Sequence, residues 1–152
     1  MEIRAATYKR LTKQAIALIE GEPDLIANIS NISALLNMEL EDINWVGFYF
    51  LKDDQLVLGP FQGKPACVRI PVGRGVCGTA ISENKVQRVD NVHQFEGHIA
   101  CDAASNSEIV IPFTVKGKLY GVLDIDSPNL SRFNQTDEDG LVSLVEELQK
   151  RL

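Results

Sequence analysis

Positive charge is scarce in this 152-residue chain, with 15 Lys and Arg against 21 Asp and Glu and a formal net charge of −6. Without a cationic surplus to neutralise phosphates or anionic headgroups, nucleic acid and membrane surfaces are poor partners. No apolar run reaches membrane-spanning length, and Arg4, Lys9, Arg10 and Lys13 interrupt the first twenty residues, so neither a membrane anchor nor a secretory signal is expected. The expected location is the cytoplasm. Cysteine is sparse and odd in number, at three. A structural disulfide framework normally uses an even count, so reduced thiols fit better. Repeats, linkers and low-complexity tracts are absent. The 45% of hydrophobic side chains can bury one core, giving a single domain over 1–152.

Tyr8, Leu11, Ala15, Leu18 and Ile19 follow helical spacing, and Gly21 with Pro23 interrupts that helix. Leu25, Ile29, Ile32, Leu36 and Leu40 predict a second helix from about Pro23 to Leu40. Asn44 to Leu51 is aromatic and β-branched and reads as a strand, followed by a turn at Asp53-Asp54 and a strand around Leu56 to Leu58. In the first strand Trp45, Gly47 and Tyr49 share one face, while Val46, Phe48 and Phe50 share the other. A short strand near Val68 to Ile70, a glycine-rich loop and a helix from about Val76 to Glu83 come next.

The weakly patterned stretch 91–106 holds His93, His98 and Cys101 and reads as a functional loop. Glu108 to Val115 and Leu119 to Asp126 predict two strands around Lys116-Gly117, with Pro112 marking an edge or a bulge. Thr136 is the expected cap of the last helix, and Asp137, Glu138 and Asp139 suit its positive end. Hairpins in the middle and helices at both ends make an α+β domain, its mainly antiparallel central sheet flanked by N- and C-terminal helices.

Three groups of residues carry possible chemistry. Gly73-Arg74-Gly75-Val76-Cys77-Gly78 matches the dinucleotide pattern G-x-G-x-x-G, but a parallel βαβ unit and a ribose-binding acid do not follow. The better reading is a tight turn whose N–H groups at the helix start receive an anion and stabilise a thiolate at Cys77. Cys67, Cys77 and Cys101 permit one attacking and one resolving thiol. With His93 and His98 they supply zinc ligands in number, but no C-x-x-C pairs them, so no metal is expected. Asp124 and Asp126 share a strand face. Glu108 joins them opposite Asp126 if the Lys116-Gly117 loop has three residues or Pro112 adds a bulge, and one or more of such crowded acids should then have a raised pKa and a proton to donate near neutral pH. The bland alternative is a solvated edge face.

The stretches INWVGFYFL, LVLGPFQGKPACVRIPVGRGVCGTA, HIACDAASNSEIVIP and GVLDIDSP closely resemble the free methionine-(R)-sulfoxide reductases, a family with the GAF fold. The resemblance runs from about Ser33 to Asp139 and includes all three cysteines. It implies reduction of free methionine sulfoxide with Cys101 as nucleophile, Cys67 as the resolving thiol and Cys77 as an auxiliary thiol or pocket wall. It further implies Glu108, Asp124 and Asp126 as acidic pocket residues, Trp45 and Tyr49 as an aromatic wall, no bound cofactor, and thioredoxin as external reductant. A homodimer is left open. The rival reading is a non-catalytic GAF module that senses a small molecule, because fold alone does not fix function.

Overall fold

A computed structural model of the chain describes residues 4–99 and 104–152. Helix α1 (Arg4–Ile19) buries Tyr8, Leu11, Ala15 and Ile19, one stripe at helical spacing. Helix α2 (Leu25–Glu39) starts two residues later than the Pro23 expectation. Asp24 adopts an extended backbone and its side chain accepts from the Ala27 N–H, which makes it the N-cap. Strands β1 (Trp45–Lys52), β2 (Gln55–Gly63) and β3 (Arg69–Pro71) precede helix α3 (Gly75–Glu83). A strand that sequence reading missed, β4 (Gln87–Val89), then leads to a 3-10 turn at Val92–Gln94. Strands β5 (Ser107–Val115) and β6 (Lys118–Ser127) and helix α4 (Gln135–Gln149) complete the order.

The six strands form one sheet in the order β3-β2-β1-β6-β5-β4, with every pair antiparallel. Its two faces feed two cores, as the alternation in β1 requires. Val46, Phe48 and Phe50 pack with α1, α2 and α4, whereas Trp45 and Tyr49 pack with α3 and the β3 edge. No helix among the described residues is long and apolar enough to cross a membrane.

Two local expectations are decided. Pro112 marks an edge: it lies beyond the end of β4, where β5 has no outer neighbour among the described residues, and the bulge falls just after it, between Phe113 and Thr114. The cap of α4 is Asn134 and not Thr136. The Asn134 side chain accepts from the Asp137 N–H at 3.1 Å, and Asp137 accepts from the Asn134 N–H at 2.8 Å, a reciprocal capping box that places Thr136 inside the first turn. Asp137 is also fully buried. It accepts from the Tyr8 hydroxyl and from Arg4, each at 2.6 Å, and from Arg132 at 3.2 Å, which ties α1 to the start of α4.

Candidate active site

The site grows out of strand register. Trp45 pairs with Asp126 and Gly47 with Asp124 across β1 and β6, while Glu108 pairs with Asp126 across β5 and β6. Lys116 (φ 52) and Gly117 (φ 78) form a two-residue loop, and the Phe113/Thr114 bulge supplies the offset that puts Glu108 opposite Asp126. All three acids therefore share the face that carries Trp45 and Tyr49. Gly47 leaves the space opposite Asp124 without a side chain, and Trp45 fills part of it. The Trp45 ring stacks on Tyr49 at 5.9 Å between centroids and on Phe61 at 5.2 Å.

Across this face stands α3. Gly73 (φ 89) and Gly75 (φ 65) take the left-handed backbone that turns the chain from β3 into the helix, so the G-x-G-x-x-G pattern is a tight turn here. The turn sets Cys77 in the first part of α3, with Sγ 3.9 Å from Glu108 Oε2. Trp45, Tyr49, Cys77, Glu108, Asp124 and Asp126 line one cavity together. Sequence reasoning missed Arg74 and Ser105 as lining residues. Arg74 lay within a motif read for its glycines, and Ser105 carried no signal beyond its place in the long loop.

Burial and like charge set the electrostatics. Glu108 and Asp124 are 8% and 5% exposed, so the solvated-face alternative does not hold. Burial, then the Asp124 and Asp126 charges, drives the Glu108 pKa well above the ordinary carboxylate range. Burial also raises Asp124, offset by hydrogen bonds with Glu108, Cys77 and Asp126. Asp124 Oδ1 is buried and has no hydrogen-bond partner among the described residues. The cavity thus brings an unpartnered acceptor beside an acid whose pKa is raised. The expectation of a stabilised thiolate at Cys77 is corrected: burial and then the charges of Asp124 and Glu108 push the thiol well above its usual pKa. Burial and then Asp124 likewise raise the Tyr49 hydroxyl.

The other thiols stand differently. Cys67 is half-buried beside the cavity and disulfide-bonded, and its carbonyl accepts from the Tyr49 hydroxyl at 3.0 Å. Trp45 Nε1 donates to the Lys64 carbonyl at 3.1 Å, so both aromatic residues fasten the segment that leads to Cys67. Cys101 lies outside the described residues. On either side of it, His98, Ile99 and Ser105 line the cavity. His93 is held by Asn106 at 2.9 Å, and burial, then the His93 charge, lowers the His98 pKa. Among the described residues the one group with metal-ligand spacing is Cys77, Glu108 and Asp124, their ligand atoms within 4.8 Å of one another. It contains neither histidine.

Comparison with known proteins agrees with this geometry. The GAF domain profile matches residues 31–149. The free methionine-R-sulfoxide reductase of Escherichia coli (strain K12) is 61% identical over 145 residues, covering 95% of this chain and 88% of that protein. The reduced form of fRMsr of Staphylococcus aureus superposes with a TM-score of 0.92 at 57% identity, covering 95% of this chain and 94% of that one. The free methionine-R-sulfoxide reductase of Neisseria meningitidis, solved in complex with its substrate, gives 0.94 at 42% identity over 99% and 91% of the two chains.

Proposed function

Because the chain belongs to the GAF-domain family of free methionine-(R)-sulfoxide reductases, we propose that it reduces free L-methionine (R)-S-oxide to L-methionine in the cytoplasm. The observation that carries this reading is the buried acid cluster lining one cavity, in which burial and neighbouring acids raise the Glu108 pKa well above the carboxylate range and Asp124 Oδ1 has no hydrogen-bond partner among the described residues.

A sulfoxide sulfur is attacked readily only when its oxygen is protonated or strongly hydrogen-bonded. Glu108 supplies that proton. Asp124 and Asp126 receive the substrate ammonium, which neutralises the crowded charges, and the N–H groups at the start of α3 with Arg74 receive the carboxylate. A residue inside a polypeptide offers neither terminal charge, so the site selects the free amino acid. Trp45 packs the S-methyl group.

Cys101 is the nucleophile. Its thiolate attacks the sulfoxide sulfur, the oxygen passes to the cysteine, and methionine leaves with a sulfenic acid behind it. Cys67 then attacks that sulfenic acid, water departs, and a Cys67–Cys101 disulfide remains. Thioredoxin restores the dithiol. Cys77, uncharged and enclosed, is a wall of the pocket and a hydrogen-bond donor to Glu108.

The test is a thioredoxin-coupled assay on each epimer of free methionine sulfoxide and on a sulfoxide-containing peptide. Turnover of the free R epimer alone is expected. Silence on all three would overturn the reading in favour of a ligand-sensing GAF module.

A further inference from the structure

The surface around Cys67 differs in charge from the rest of the chain. From Phe61 to Ser82 the sequence carries Lys64, Arg69 and Arg74 and no Asp or Glu, in a protein of net charge −6. All three cations are exposed. Two apolar side chains of the same segment are also exposed, Val68 at 59% and Val72 at 38%. Between them lies β3, the outermost strand on its side of the sheet. The Val68 carbonyl bonds Leu58 of β2 and the Val72 N–H bonds Asp54 in the turn just before it, so alternation turns the Arg69 peptide groups toward the edge that no described strand covers. Half-buried Cys67, disulfide-bonded, adjoins this edge.

From these features we infer that residues 64–74 form the docking face for a protein dithiol reductase. Its contact surface is apolar next to the attacking thiol and acidic at the rim. The inference deepens the reductase reading and rests on it. Cations at the rim steer an acidic partner, Val68 and Val72 supply the apolar contact, and the Arg69 peptide groups offer main-chain hydrogen bonds to an extended segment. The Tyr49 and Trp45 hydrogen bonds to the Cys67 and Lys64 carbonyls hold the face in place from beneath, so little ordering is needed on docking. In the exchange a partner thiolate attacks Cys67 Sγ. The Cys67–Cys101 bond breaks, with its electron pair leaving on Cys101, which takes a proton. The partner's second thiol then displaces Cys67, so the partner departs as a disulfide and both cysteines of this chain are reduced.

The experiment compares turnover of free methionine sulfoxide driven by thioredoxin with turnover driven by dithiothreitol. It uses the full chain, the charge-reversed variant K64E/R69E and, separately, V68D. A rise of about tenfold in the KM for thioredoxin is expected for each variant, with dithiothreitol-driven turnover within about twofold of the parent. Raising ionic strength should raise the parent's KM for thioredoxin and leave that of K64E/R69E nearly flat. Equal losses with both reductants, or no change with either, would overturn the docking face while leaving the reductase reading intact. A parent inactive with both reductants would overturn that reading and this inference with it.

Discussion

Glu108→Gln separates the proton of the site from its shape. Glutamine keeps the length and the hydrogen-bonding outline of the carboxyl group but cannot donate an acidic proton to a sulfoxide oxygen. Loss of a positioned general acid lowers the rate by roughly 10²–10⁴-fold, or about 3–5 kcal/mol in barrier height. The clean assay is single-turnover formation of methionine by the reduced enzyme, which excludes recycling. In the parent the step should slow as pH rises through the elevated pKa of Glu108, and the variant should lack that alkaline limb.

The same substitution should raise stability while it lowers the rate. Unfolded, Glu108 releases its proton near 4.5; folded, it holds the proton well above that pH. Between the two values the native state binds more protons than the unfolded state, so the parent loses stability as pH rises. Each pH unit traversed between them costs about 1.4 kcal/mol. Glutamine has no such loss, so the variant's melting temperature should gain on the parent's between acid and mildly alkaline pH. A single-turnover rate within threefold of the parent, or an unchanged alkaline limb, would refute Glu108 as the acid.

The remaining expectations follow from burial and bonding. Cys67→Ser should release one methionine per enzyme and then stall with thioredoxin, as quantified by amino-acid analysis of a burst. Cys77, buried and uncharged, should resist a thiol-reactive dye in a native Cys67→Ser/Cys101→Ser background and react fully in guanidinium chloride. Asp137→Ala should cost about 3–5 kcal/mol in urea unfolding, because it leaves the Tyr8 hydroxyl and Arg132 without their buried partner. At low temperature, where the variant stays folded, its single-turnover rate should match the parent's, since Asp137 lies on the opposite face of the sheet from the cavity.

Much of the fold was readable because β1 alternates so strictly. Trp45 and Tyr49 on one side and Val46, Phe48 and Phe50 on the other announced a sheet covered on both faces. Elements with weak local signals were harder. With three residues, β4 is too short to display alternation, and the cap expected at Thr136 falls to Asn134, two residues earlier, through the reciprocal bond with Asp137. The alignment of Glu108 with Asp126 could be stated only conditionally, because it depends on a bulge between Phe113 and Thr114, one residue beyond the Pro112 that hinted at it, and Pro112 suits a sheet edge equally well. The electrostatics of Cys77 were misread for a related reason. A helix start argues for a thiolate, but the two nearest acids come from strands more than thirty residues away along the chain.

Two kinds of buried acid in this protein show what composition conceals. Asp137 is fully buried yet surrounded by donors: Tyr8, Arg4, Arg132 and the Asn134 N–H all meet its two oxygens. Its desolvation is offset by those bonds, and its work is to join helices. Asp124 is as deeply buried, but its neighbours are Glu108, Asp126 and Cys77, groups that compete with it for protons and supply no positive charge. Folding alone gains little from that arrangement, and like-charge pairs at this spacing destabilise a sheet. What the arrangement does provide is a raised Glu108 pKa and an unpartnered oxygen on Asp124, on two residues that line one cavity. A cationic ligand that also needs protonation relieves both costs at once. Free methionine sulfoxide has this character, with an ammonium group and a basic sulfoxide oxygen in one small molecule.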